Sequence, residues 1–382
     1  MLVEESVGNK KTHHNMGSDS SDTEVKSLPT NASHAERKRL RKQKKEQKLL
    51  KKLKLKEEES SSQKSSKADA KIEETEKLEE TSKGREYTVS IAVAGSILDN
   101  AQSPALRAYL AGQIARAAAI FSVDEIIVFD DSGGKSTTAC EQMARILQFL
   151  ECPQYLRKYL FAIHPDLQFA GVISPLDVPH HLRKHEILPY REGVVSNRPL
   201  RDGKGSYIFI GLEKDARVDK ILPENTRVTV KLDKPELMLT VKGKLTGRLV
   251  SPSLPRREAG IYWGYSVRIA TSLHGVFSQS IFREGYDVTI GTSEKGSPVS
   301  DLKIPQFKHL LVVFGGVEGL EYAFDNDEAS LGEDVSELFH NYINTCPSQG
   351  SRTIRTEEAI LISLAALVPA ISNVSIDGST SV

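Results

Sequence analysis

Two stretches hold the residue types and spacings best able to do chemistry. LLVVFGGVEGLE (310–321) is an apolar run of the buried-strand kind that ends in Gly315, Gly316 and Gly319. Glycine at a strand's C-terminal end lets a ligand approach the backbone closely, and ligands of open α/β sheets sit at that end. The G-x-G-x-x-G fingerprint of a dinucleotide fold is absent, because no helix-opening glycine follows at the required spacing. Glu318, between the glycines, can cap a helix or face a ligand. The second stretch, INTCPSQGSRTIRTEEAILISLAAL (343–367), places Gly350, Arg352 and Arg355 in a polar loop ahead of an apolar helix. Glu357 and Glu358 fall in that helix's first turn, where the dipole favours acids. Capping accounts for the acids but not for two arginines in the loop before them. Cys346 shares the loop with no base paired to it in sequence, so covalent catalysis is not expected.

The surrounding pattern must position these loops. YTVSIAVAG (87–95) reads as a strand; Ser103-Pro104 reads as a helix cap and first turn, with Leu106, Tyr109, Leu110, Ile114 and Ala118 at helical spacing. DEIIVFDD (124–131) is a short buried strand and ACEQMARILQFLE (139–151) a second helix, so the chain opens as an α/β fold. After about residue 168 the texture changes to short alternating runs: REGVVSNRP, GSYIFIGL, RVTVKL, MLTVKGKLTGRLVS and IYWGYSVRI. Their spacing suggests a five-stranded antiparallel barrel over 169–265. Helical SLHGVFSQSIF, strand-like YDVTIGTS and KHLLVVFGG, VSELFHNYINTC (a helix end into a strand), and helical RTEEAILISLAALVPAI then restore the α/β texture. The reading is an α/β domain in two halves, 86–168 and 266–376, split by the barrel and flanked by tails 1–85 and 377–382.

Over 382 residues, 51 Lys+Arg balance 51 Asp+Glu. That zero hides a run from Arg37 to Lys56 with twelve Lys/Arg and one acid, a local charge of +11. A neutral total therefore does not exclude nucleic acid as a partner. No aromatic residue precedes Tyr87, and such a segment cannot bury enough apolar area to offset its ordering entropy, so residues 1–85 are expected to be disordered as a free chain. Three cysteines without a CxxC pair exclude a disulfide framework and a zinc ribbon, and no metal site is expected. No eighteen-residue apolar stretch or secretory signal is present, so no membrane role is expected, while ERKRLRKQKK (36–45) fits a nuclear address.

FGGVEG and QGSRTIRTEEA, with GSILDNAQS (95–103) after the first strand and IGTSEKGS (290–297) between them, resemble the SPOUT class of S-adenosylmethionine-dependent methyltransferases. Residues Gly350–Ala359 are similar to that class's G-x-R-I-L-R-x-E-T-A pattern. The likeness, over about 86–372, is closest to the archaeal and eukaryotic subgroup with an OB-like barrel insertion, whose eukaryotic member also carries a centromere-protein name. The resemblance implies a trefoil-knotted α/β domain, a homodimer and S-adenosyl-L-methionine as cofactor. Carried onto this sequence, the cofactor lies against Thr292 and Lys295, Gly315 and Gly316, Asn344 and Thr345, and Gly350 and Ile354. Arg352 or Arg355 would stabilise an anionic base during transfer, with Glu318 or Asp99 as proton acceptor.

For substrate the class implies RNA, and the last motif is most like bacterial enzymes that methylate uridine N3 in ribosomal RNA. That predicts a nuclear or nucleolar enzyme, with spindle, centromere or cytoplasmic pools. Tyr207, Phe209, Tyr262, Trp263 and Tyr265 could stack on bases, with Arg217, Lys220, Arg227 and Lys231 near them in sequence; alternation puts some of the aromatics in the barrel core, so at most two or three are expected to face the strand. The competing readings are a scaffold with centromere or spindle partners and little turnover, and a protein-arginine methyltransferase.

Overall fold

The computed structural model describes residues 84–198, 205–239, 244–329, 332 and 334–377. The basic run 37–56 and nearly all of both expected tails lie outside them. In chain order the elements are β1 (Thr88–Ala94), α1 (Pro104–Ile120), β2 (Glu125–Phe129), α2 (Thr137–Glu151), α3 (Gln154–Leu160), β3 (Tyr190–Val195), β4 (Ser206–Phe209), β5 (Ala216–Val218), β6 (Arg227–Leu232), β7 (Leu245–Val250), α4 (Leu254–Ala259), β8 (Ser266–Ala270), α5 (Leu273–Ser278), β9 (Val288–Pro298), β10 (His309–Phe314), α6 (Gly319–Asp325), β11 (Asn341–Asn344) and α7 (Thr356–Asp377). Among the described residues, no helix is long and apolar enough to cross a membrane.

The unbroken apolar runs become the middle of a parallel sheet ordered β11-β9-β10-β1-β2-β8. β1 and β2 are buried along their whole length, as strands covered on both faces must be. From β1 the chain winds outward to β2 and β8; it then builds the other side, where β10 takes the place beside β1 and β9 and β11 lie beyond. The winding direction reverses between β1 and β10, so their C-terminal ends form the crevice where ligands of such sheets bind.

α1 starts as its sequence suggests, the Ser103 hydroxyl accepting the Leu106 N–H ahead of Pro104. Its buried face is nevertheless the small-residue one, Ala108, Ala111, Ala115 and Ala118 with Ile114, while Leu106 and Tyr109 are 51% and 52% exposed. α7 buries Ile360, Leu364 and Leu367 and leaves Leu361 and Val368 exposed.

Five strands close a barrel in the order β3-β4-β5-β7-β6 around Val195, Ile208, Val218, Val230 and Leu245. β6 coincides with RVTVKL, whereas the short β5 has no separate signal in the sequence. IYWGYSVRI corrects the reading most. Ser266–Ala270 is β8, paired with β2 at the edge of the large sheet, and the aromatic segment before it connects barrel to sheet. Tyr262, Trp263 and Tyr265 are buried; their polar atoms donate to Val123 O at 2.9 Å, Glu192 Oε1 at 2.7 Å and Leu147 O at 3.0 Å. These rings hold two structural units together and cannot stack on a bound strand. Alternation announces a strand without saying which sheet receives it.

Candidate functional site

The sheet's crevice is built from three loops at the C-terminal ends of adjacent strands. In β9 the pairing with β11 jumps from Gly291 opposite Tyr342 to Ser297 opposite Ile343, so residues 292–296 bulge out of that pairing, Thr292 staying opposite Phe314 of β10. β10 ends at Phe314 and runs into Gly315 and Gly316 before α6. β11 ends at Asn344, and residues 345–355 form a strap leading into α7. The loops enclose a cleft of 330 Å³ whose lining includes Thr292, Lys295, Gly315, Gly316, Glu318, Asn344, Thr345, Arg352 and Ile354. Residues proposed from three separate motifs thus meet in one cavity. Gly350 and Arg355 are outside the lining. A Cβ on Gly350 would meet nothing within 4 Å, and Arg355 donates its backbone N–H to Glu358 Oε2 at 3.0 Å at the start of α7.

Several polar side chains of the lining are engaged in bracing the loops. Thr292 Oγ1 donates to Val313 O at 3.0 Å, and Asn344 Nδ2 donates to Glu294 O at 2.8 Å while its Oδ1 accepts the Cys346 N–H at 2.9 Å. Thr345 Oγ1 pairs with Ser363 Oγ at 2.8 Å, and Thr356 Oγ1 donates to Gly315 O at 3.1 Å, tying the strap to the glycine turn. With these side chains engaged, backbone groups are left for recognition.

The glycines are required by close approach. A Cβ on Gly315 would lie 2.5 Å from Gly319 C, and one on Gly316 would lie 2.7 Å from Asp131 Oδ2 and 2.9 Å from Ser96 Oγ. Lys295 Nζ pairs with Glu321 Oε1 at 3.0 Å, which raises the pKa of the lysine. Burial pushes the Glu321 carboxyl up, but its own backbone N–H and Lys295 outweigh that and hold it low. Arg352 is exposed at the cleft. Asp99 lies apart from the cleft lining, half exposed and 3.4 Å from Arg107.

Motif reading missed Glu321, Gln349 and Ser363 in the lining, and also the Ser96–Asp131 pair behind Gly316. The two aspartates that follow β2 were a usable signal, since they sit where a parallel strand ends. Among the expected RNA-facing cations, Arg227 is instead engaged by Glu151 at 2.6 Å and Glu192 at 2.7 Å, and Lys231 by Glu258 at 2.6 Å. Tyr207 and Phe209 are half-buried on the outward side of β4, but Phe209 packs there against Tyr155 and Tyr159 of α3, with ring centroids 6.4 and 5.1 Å away. Among the described residues, no group of His, Cys, Asp and Glu is placed to hold a metal ion.

A parallel α/β sheet with its cleft at the winding reversal, lined by glycine turns and an arginine-bearing strap, has the layout of a ligand-binding α/β domain. Residues 88–367 match the family described as "Putative RNA methyltransferase", and the chain belongs to that family. It is 55% identical over 307 residues to the 28S rRNA (uridine-N(3))-methyltransferase of Mus musculus, covering 77% of this chain and 79% of that protein. The Homo sapiens protein of the same name is 54% identical over 312 residues, covering 78% and 82%, and that of Drosophila melanogaster 51% identical over 316 residues, covering 76% and 64%.

Proposed function

We propose that this chain transfers a methyl group from S-adenosyl-L-methionine to N3 of a uridine in large-subunit ribosomal RNA. The observation that carries this reading is the cleft at the β1/β10 reversal, where two glycines are pressed so close to their neighbours that no side chain fits. Such a cradle suits a ligand recognised through backbone groups. The activity named for the similar mouse, human and fly proteins supports the substrate. Gly315, Gly316, the 292–296 bulge and the 345–355 strap would hold the cofactor, which supplies a methyl group already activated by a sulfonium. The strap would be the knotted segment that the SPOUT resemblance implies, and the barrel its OB-like insertion.

The chain's own part is alignment. Holding N3 in line with the methyl group can supply about 7–11 kcal/mol of the barrier. Arg352, exposed at the cleft, would offset the negative charge that develops on the uracil ring. N3 is hidden in a Watson–Crick pair, so the target would be presented unpaired. The exposed Leu106 and Tyr109 of α1 and Leu361 and Val368 of α7 are apolar surface that a homodimer would cover. A nuclear or nucleolar location would follow from the substrate.

The test is to incubate the purified chain with labelled S-adenosylmethionine and ribosomal RNA from cells lacking it, then map blocked Watson–Crick positions by reverse transcription. One new block at a single unpaired uridine is expected, lost in Arg352→Ala while cofactor affinity stays within about threefold. Absence of any RNA label would refute the reading.

A further inference from the structure

Among the described residues, two buried carboxylates follow β2 without a cation partner: Asp130, 6% exposed, is held by the Ser132 N–H and hydroxyl at 2.9 Å each and by Thr137 at 3.2 Å, whereas Asp131 has fewer hydrogen bonds. Asp124 is paired with Arg85 at 2.8 Å and Glu125 with Arg268 at 2.9 Å, as buried charges normally must be. Asp131 is only 2% exposed, and the groups that hold it are the Ser96 hydroxyl at 2.5 Å, the Ser96 N–H at 3.4 Å and its own backbone N–H. The charged neighbour that acts on it is Asp130, which repels it, and the Cys140 thiol of α2 feels the same negative charge. Burial pushes the Asp131 carboxyl above the usual range and Asp130 adds to this, although the Ser96 hydrogen bonds act the other way. A carboxylate kept this way costs stability, and that cost is explained if the group has a task.

Its position suggests the task. Ser96 follows β1 and Asp131 follows β2, at the crevice end of the sheet. The missing Cβ of Gly316, in the cleft lining, points at both of them. Ser96 is partly exposed and abuts Gly316 of the cleft lining, with the buried Asp131 beside it; neither residue is itself in the lining. The reaction proposed above releases one proton from N3, yet Glu318 is exposed and Asp99 is paired with Arg107 outside the cleft.

We propose that Ser96 and Asp131 form a relay that accepts the N3 proton of the target base; this rests on the uridine-N3 reading of the cleft. The N3–H bond breaks as the proton passes to Ser96 Oγ, while the proton of that hydroxyl moves to Asp131 Oδ2. The electron pair left on N3 forms the new N–CH3 bond, and the pair of the broken C–S bond departs with sulfur as a neutral thioether. Asp131 later returns its proton to water. Ser96 is the catalytic residue of the pair and Asp131 the residue that positions and loads it.

Full-length Asp131→Asn and Ser96→Ala test the relay, with turnover followed from pH 5.5 to 9 and cofactor and RNA affinities measured separately. The relay predicts a loss of kcat of about 10²–10⁴-fold in Asp131→Asn. Both affinities should stay within about threefold, the rise of kcat with pH expected of the wild type should be absent, and Asp131→Glu should recover part of the loss. In the ligand-free wild type, the Asp131 carboxyl carbon followed by NMR should titrate above the ordinary carboxylate range. A kcat within twofold of wild type with an unchanged pH profile, or an ordinary titration midpoint, would overturn the relay. If Asp131→Asn does not fold, Ser96→Ala decides: at least a tenfold loss of kcat sustains the relay and an unchanged kcat removes it. A wild type that binds cofactor but methylates no uridine N3 would refute the proposed function instead, and is read from the unmutated chain alone.

Discussion

The groove between the barrel and the edge of the large sheet is bigger than the cleft at the glycine turns, 670 Å³ against 330 Å³, yet it has the features of a joint. Most of its polar groups are engaged with one another, the buried His180 Nδ1 being an exception. Arg227 Nη1 and Nη2 hold the two oxygens of Glu151 at 2.6 and 2.9 Å, and its Nε reaches Glu192 at 2.7 Å. Glu192 also accepts the Trp263 indole N–H at 2.7 Å and the Thr229 hydroxyl at 2.5 Å. His180, fully buried, reaches Glu151 Oε1 at 3.0 Å. The cleft at β10 differs: its glycines stand where side chains would clash, Lys295 and Glu321 pair in its lining at 3.0 Å while Arg352 is exposed, and behind Gly316 lies Asp131, a buried carboxylate with no cation partner among the described residues. Volume does not separate a site from a seam. What separates them is whether buried charges find partners inside the molecule, since an unpaired one is tolerated only where function requires it.

The largest effect that would break this contrast is on the joint. Arg227→Met leaves Glu151 and Glu192 buried without their cation and should cost about 3–5 kcal/mol of stability, read by urea unfolding. A loss under about 1 kcal/mol would mean that the groove is not the seam described. The same network should unlatch in acid. Burial raises the Glu151 carboxyl, but Arg227 and His180 outweigh it and lower its pKa to about 2 from an ordinary 4.5; burial, with His180 beside it, lowers that of His181 to about 3 from 6.5. Both folded values are depressed, so both contributions are complete above the unfolded values and are lost as pH falls. The melting temperature should decline from below about pH 6.5, first through His181 and then, below about pH 4.5, through Glu151. A flat profile between about pH 7 and 3 would contradict this.

Changes in the cleft should affect turnover more than stability. Gly316→Ala forces a Cβ against Asp131 and Ser96 and shifts the turn, with an expected loss of methyl transfer of about 100-fold. Normal kinetics in that variant would show that the turn does not position a ligand. The smallest effect is expected from Thr356→Val, which removes the hydrogen bond from the strap to Gly315 O and should cost about 1 kcal/mol, seen as a several-fold weaker cofactor affinity with little change in the unfolding midpoint.

Much of this was legible in the residues because it depends on local pattern. The apolar runs at 87–95, 124–131 and 309–314 have one stable use, as covered parallel strands, and Ser103-Pro104 could only begin a helix. The SPOUT resemblance brought Thr292, Gly315, Asn344 and Arg352 forward as one set, and they line one cavity. The RNA-facing aromatics went astray because Tyr262, Trp263 and Tyr265 occupy an alternating run indistinguishable from a barrel strand. Their burial depends on the helix and strands packed against them. α1 misled for a related reason. Its largest apolar residues lie on the open face, because the covered side takes alanines that let the helix lie close to the core.

Amino-acid order alone thus determined which segments are strands and helices, that a barrel interrupts an α/β domain, and that glycine turns and an arginine loop are the places for chemistry. These are properties of side-chain period and backbone permissiveness, which neighbours in the chain already settle. Only the tertiary structure decided partners. It placed Asp131 behind Gly316 and Ser96 against both, gave Arg227 to two buried glutamates, and put β8 in the large sheet. Each of these depends on which distant segments exclude water from one another, and a one-dimensional pattern does not contain that information.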